Sequence, residues 1–135
     1  VVYARAAPHL EGEEANTMRV EIRGRRTLVS AAFREHALRR IGFALSRYGA
    51  ALSRVVLRVA DENGPRGGVD KQARMLARLR RGGQLEIAER DADLYAAIDR
   101  GAGRLQRALA RALDRRRERG ARRHRLSLRL VKAHT

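Results

Sequence analysis

The sequence predicts an α+β domain of order β-α-β-β-β-α, a four-stranded sheet carrying two helices packed side by side on one face. Three observations predict it. Apolar residues alternate with polar ones in four short runs, as in half-buried strands. They recur every three or four positions in two longer runs, as in amphipathic helices. Gly, Asn, Asp and Pro cluster between those runs, where the chain must turn. With 135 residues there is material for one modest core, and the chain shows neither an internal repeat nor a second domain.

The first strand runs from Met18 to Gly24, with Val20 and Ile22 opposed to Arg19, Glu21 and Arg23. The helical period takes over from Val29 to Tyr48. Ser30 stands at the N-cap, Phe33, Ala37, Ile41, Ala44, Leu45 and Tyr48 fall on one side, and Gly49 occupies the C-cap. Leu52 to Ala60 alternates again, setting Val55, Leu57 and Val59 against Arg54, Val56 and Arg58. Asp61 to Gly68 is turn-forming throughout and predicts a loop. The next strand, Asp70 to Arg80, turns Ala73, Met75, Ala77 and Leu79 inward. Gly82-Gly83 then makes a tight hairpin into Gln84–Glu89, where Leu85 and Ile87 face the core. From Asp91 to about Arg119 the helical period returns, with Asp91 or Asp93 able to cap its amides. Strands two to four form an antiparallel meander, and both helices cover its apolar face.

The flanks carry no such period. Residues 1–17 are expected to be a disordered extension, with Met18 close to the natural start. Residues 18–118 would form the folded domain and 119–135 a basic, mostly disordered tail with at most a short strand through Leu126, Leu128 and Leu130. No stretch approaches a transmembrane helix, and the N-terminus lacks the basic-then-apolar pattern of a signal peptide. The absence of Cys removes disulfides, thiolate metal sites and cysteine nucleophiles together, and fits a reducing cytoplasm. With few aromatic residues and no Trp, the large anchors of the core are expected to be Phe33, Tyr48 and Tyr95.

Charge is the loudest signal. Lys and Arg total 31 against 15 Asp and Glu, a formal net of +16, and such a field favours a polyanionic partner. On the last helix Arg100, Arg104, Arg107, Arg111 and Arg115 recur at spacings of four, three, four and four, forming one continuous stripe. Leu94, Ile98, Ala102, Leu105, Leu109 and Leu113 form an apolar stripe roughly opposite. Arg39, Arg40 and Arg47, with His36 nearby, flank the apolar face of the first helix, so two adjacent helices would merge these cations into a basic plateau. Guanidinium suits phosphate because its planar fork bonds two oxygens at once. A merely solvated face would mix signs at i,i+4. No acid interrupts the stripe between Arg100 and Arg111, so its repulsion is expected to stand uncompensated and to favour nucleic acid.

Asp93-Leu94-Tyr95-Ala96-Ala97-Ile98-Asp99 is similar to the Asp-x-Tyr-Ala-Ala-Ile-Asp signature opening the last helix of ribosome hibernation-promoting factors. These are also called ribosome-associated inhibitor A or sigma-54 modulation proteins. Ile22-Arg23-Gly24-Arg25, Val29-Ser30 and Phe33-Arg34-Glu35 agree with that family, as does the element order, and the resemblance covers about residues 18–118. It implies a bacterial, cytoplasmic factor of stress and stationary phase that inhibits translation. Such a factor, a monomer off the ribosome, binds the 16S rRNA of the small (30S) subunit in the channel between head and body and excludes messenger and tRNA. By position Arg34, Arg40, Arg104, Arg107, Arg111 and Arg115 correspond to the family's rRNA-binding surface. The chain departs from the family at Arg26, where Asn is frequent, and at Gly101 and Gly103, which weaken the last helix. The dimerising C-terminal domain of long members has no counterpart here, so direct pairing of ribosomes through it is not expected.

Other chemistry is set aside on the residues. His9, His36, His124 and His134 lack metal-ligand spacing. Asp91 and Asp93 are explained by capping and Asp99 by pairing with a nearby Arg, which leaves no carboxylate cluster for catalysis. Gly64 to Gly68 lacks the Lys-Ser/Thr ending of a phosphate loop. The sequence therefore predicts no enzyme, cofactor, metal or small-molecule substrate. Membrane-surface binding is disfavoured because the basic helix keeps its apolar face for the sheet. The rival reading is a general RNA-binding module without ribosome preference.

Overall fold

A computed structural model describes residues 2–5, 18–61 and 71–133. In chain order the elements are β1 (Val2–Arg5), β2 (Arg19–Arg25), α1 (Ala31–Leu45), a 3₁₀ turn (Ser46–Ala51), β3 (Leu52–Asp61), β4 (Lys71–Leu79), β5 (Gln84–Asp91) and α2 (Leu94–Ala133). The expected order β-α-β-β-β-α holds from β2 onward. The described strands lie in the order β1-β2-β3-β4-β5. β2 and β3 are parallel, joined by the α1 crossover, and the other neighbours are antiparallel.

Two expectations for the flanks are corrected. The stretch taken as a disordered extension supplies β1, which pairs Val2 with Ile22 and Arg5 with Arg19. Val2 and Tyr3 have high β-propensity, and the pairing of β1 covers an edge that β2 would otherwise expose; residues 6–17 lie outside the described residues. The basic tail is also not a coil or strand, because α2 continues to Ala133. Pro is absent from that region, and Ala, Leu and Arg are among the best helix formers. The predicted loop after Asp61 falls almost wholly on residues 62–70, outside the described residues.

Local signals explain the element ends. Ser30 caps α1, its Oγ accepting from Phe33 N at 3.1 Å. The helix closes at Leu45 rather than at Tyr48, and the 3₁₀ turn carries the chain on to β3, burying Gly49. At the β4–β5 hairpin Gly82 and Gly83 take φ of 95° and 89°, a region that excludes most side chains. Arg26 also has positive φ, 57°, which explains why Asn, tolerant of that conformation, is suited to this position.

The core lies between the helices and one sheet face. Val20, Ile22, Val55, Leu57, Val59, Ala73, Met75 and Ala77 meet Phe33, Ala37, Ile41, Ala44 and Leu45 of α1 and Leu94, Ile98, Ala102, Leu105 and Leu109 of α2. Leu85, Ile87, Leu113 and Tyr48 pack at its margin. Gly101 permits the close approach of α2 to the sheet: a Cβ there would stand 3.1 Å from the Met75 methyl. The glycine that looked like a weakness in the helix is thus a packing device.

Val56, expected on the outward face, is nonetheless buried, as is Glu21 beside it in the register. Glu21 accepts from Arg23 Nε at 2.6 Å and lies 3.9 Å from Arg54 Nη1. A buried carboxylate held by flanking guanidinium groups satisfies the rule that buried charges are paired.

Candidate nucleic-acid interface

Two carboxylates fix the start of α2. Asp93 Oδ1 accepts from Tyr95 N at 3.0 Å, and Asp91 Oδ1 accepts from Asp93 N at 2.9 Å. From there α1 and α2 run in the same direction. The Phe33 ring meets Tyr95 edge-on at 5.5 Å. One turn on, His36 Nε2 lies 2.9 Å from Asp99 Oδ1 and its ring 4.9 Å from Tyr95. A further turn brings Arg40 Nη2 to donate to the Asp99 carbonyl at 3.2 Å. The signature residues therefore build the joint between the helices: Asp93 caps, Tyr95 and Asp99 bridge to α1, and Ala97 and Ile98 are buried.

This joint sets the cations on a common outer surface. Arg40 and Arg107 both reach over Gly103, their guanidinium nitrogens 3.9 and 3.5 Å from where a Cβ would stand. Arg34, Arg39, Arg47, Arg107, Arg111 and Arg115 are exposed. Arg39 is tied to Glu35 at 3.0 Å one turn back on its own helix, and Arg47 stacks 5.9 Å from the Tyr48 ring centre.

The stripe on α2 is not uniform, and the expectation of uncompensated repulsion is corrected for its first two members. Arg100 Nη1 donates to Asp91 Oδ2 at 2.8 Å and Arg104 Nη1 to Glu89 Oε1 at 2.6 Å, both carboxylates belonging to β5. The bond from Arg104, with further help from Arg100, holds the Glu89 carboxyl below its ordinary pKa even though burial opposes this. Asp91 is lowered likewise, by the Asp93 amide first and Arg100 second, and Arg100 is raised by its bond to Asp91. Among the described residues no carboxylate pairs with Arg107, Arg111 or Arg115.

Three features of the surface were not anticipated. Phe43 stands 83 % exposed on α1, although it belongs to the sequence run that packs the core. At the far end of the helix pair, Arg47, Arg81, Arg116 and Arg117 rim a groove floored by Tyr48, Ala110 and Leu113. On the opposite side of the sheet, Arg23, Arg58 and Arg74 align across three strands, as do Arg19, Arg54 and Arg78. Like charges directly opposite one another destabilise a sheet, and here Glu21 beside Arg23 and Arg54 and Glu86, 3.2 Å from Arg74, offset part of that repulsion. The alternation of each strand was legible in the sequence; its alignment with neighbouring strands was not.

Residues 20–117 match the family described as Sigma 54 modulation protein / S30EA ribosomal protein. The chain belongs to that family. Its members are ribosome-associated modulation and hibernation factors, not a family of enzymes. Among solved structures the chain is similar to the N-terminal domain of Thermus thermophilus Protein Y, at 26% identity and a TM-score of 0.51, covering 67% of this chain and 93% of that one. It also shares its fold with a ribosomal subunit interface protein from Coxiella burnetii, at 16% identity and a TM-score of 0.58, covering 70% and 97% of the respective chains. No curated protein matches. No helix among the described residues is long and apolar enough to cross a membrane.

Proposed function

We propose that this chain is a cytoplasmic translation inhibitor that binds the small ribosomal subunit through 16S rRNA and acts by occupying the channel for messenger and tRNA. The observation that carries this reading is the set of unpaired, outward guanidinium groups on the last helix, Arg107, Arg111 and Arg115, beside Arg40 and Arg47 of α1. An exposed row of unpaired cations at helical spacing is suited to a phosphate backbone. Family membership supplies the ribosome as its source.

Phosphate contacts give affinity without sequence preference, so specificity comes from shape, the rigid two-helix plateau being matched to folded rRNA. Arg39 extends the plateau along α1, whereas Arg34, about 240° round the helix from Arg40, is exposed on the other flank. Arg100 and Arg104 belong to it geometrically, but their ion pairs with β5 must be shared or exchanged when phosphate binds. The protein acts as a monomer in this reading.

Co-sedimentation with purified 30S subunits across a salt series tests it. The natural protein should pellet with 30S in a salt-sensitive manner, and a variant with Arg107, Arg111 and Arg115 changed to Glu should lose roughly a hundredfold in affinity while remaining folded. Equal pelleting of both would reject the surface. Binding to free duplex RNA with no preference for 30S would instead favour the general RNA-binding module.

A further inference from the structure

We infer that Phe43 is a stacking platform for an unpaired RNA base, set among the cations that hold the neighbouring phosphates. The inference rests on the RNA-binding reading above and names what one part of that surface contacts.

The chain has two Phe residues, and the structure treats them oppositely. Phe33 is 5 % exposed and seated in the core, whereas Phe43 is 83 % exposed. Its position on α1 follows His36 and Arg40 and precedes Arg47, at spacings of four, three and four, so these residues form one row along the helix. The first two members of that row touch α2, His36 at Asp99 and Arg40 over Gly103. The last, Arg47, lines a groove with Ala110 of α2. Phe43 therefore stands between these two levels, on the α1 flank turned toward Arg107.

Arg39, Arg40 and Arg47 lie three or four residues from it, so the apolar ring is ringed by cations. That setting disfavours a protein partner with an apolar face, which would have to desolvate Arg47 and the half-exposed or exposed ion pairs of Arg39 with Glu35 and Arg40 with Asp99. A nucleotide suits it, offering a flat π-face for the ring and phosphate oxygens for the guanidinium groups. Unpaired bases, rather than duplex, present that face.

Because the chain contains no Trp, Phe43→Trp places a single indole at the site, excited apart from the Tyr residues, while keeping an aromatic plane. Natural protein, Phe43→Ala and Phe43→Trp would be titrated against 30S subunits and against a twelve-nucleotide single-stranded RNA. Expected are a loss of roughly tenfold in affinity for Phe43→Ala, near-natural affinity for Phe43→Trp, and quenching of its emission on binding. The salt dependence should be unchanged in Phe43→Ala, since stacking releases no counterion, whereas reversal of Arg107 and Arg111 should flatten it. Phe43→Ala binding 30S as well as the natural protein, with no quenching in Phe43→Trp, would overturn the stacking role and leave the ribosome reading standing. If the natural protein ignores 30S, the ribosome reading fails alone, and quenching by the single strand decides for or against the platform. A natural protein that self-associates, with Phe43→Ala monomeric, would assign the ring to a second copy and overturn the inference.

Discussion

Arg100 and Arg104 share a stripe with Arg107, Arg111 and Arg115, yet the two groups occupy different electrostatic worlds. The first pair lies over β5 and is bound to Asp91 and Glu89. The later three have run past those carboxylates and face solvent. Helical spacing alone makes the five look equivalent. The strand beneath the helix divides them into cations that hold the fold and cations available to a partner.

The sharpest way to break this division is to reverse the charge beneath it. Glu89→Lys would put a third cation against Arg100 and Arg104 at a side chain that is only 14 % exposed. A loss of about 2 kcal/mol in urea denaturation is expected, short of that for a fully buried pair because both guanidinium groups are half exposed, whereas Arg111→Ala should change stability by less than about 0.5 kcal/mol. Equal effects would mean that the two groups do not differ.

Acid should separate the groups with a smaller signal. Glu89 and Asp91 have lowered folded-state pKa values, so their contribution to stability is present above the unfolded carboxylate range. It disappears as pH falls through the folded values. Thermal unfolding followed from pH 6 downward should show this loss beginning near the ordinary carboxylate range, at roughly pH 4 to 5. Glu89→Gln should be less stable at neutral pH and show a shallower acid decline. An unchanged slope in the variant would remove Glu89 from the account.

The smallest effect is expected at the boundary between the groups. A Cβ on Gly103 would meet only ordinary contacts, at 3.5 Å and beyond, so Gly103→Ala should gain up to about 1 kcal/mol from helix propensity. Gly101→Ala should gain less, because its Cβ must displace Met75. Chemical denaturation of both variants checks the contrast, and a larger gain at Gly101 would contradict the close packing.

Most of the architecture was legible because strand alternation and helical spacing are local. Val20 and Ile22, Val55, Leu57 and Val59, and the Phe33–Ala37–Ile41 series are buried as their periods demanded. Local reading failed where a partner from elsewhere decides. Nothing near Val2 announces that β2 will need an edge covered. Nothing within α2 announces that Glu89 and Asp91, on another strand, will meet Arg100 and Arg104. Phe43 was passed over for a related reason, since aromatic residues are expected inside and its exposure depends on where the α1 stripe comes to rest. At the joint between the helices Asp93 caps and Asp99 joins Arg40 as the residue types suggested, but Tyr95, expected as an anchor of the core, is 39 % exposed.

The length of α2 has one more consequence. From Arg117 to Val131 every residue is exposed, so the last part of the helix, about 22 Å at 1.5 Å per residue, stands clear of the body. Along it Arg119 and Arg123 stand four residues apart, as do Arg125 and Arg129, and each such neighbour repels. Added electrolyte screens that repulsion and firms the projecting turns. The same electrolyte weakens the attraction of Arg100 and Arg104 for β5 at the other end. A single helix thus carries two salt responses of opposite sign, and its total helicity against ionic strength is the balance between them.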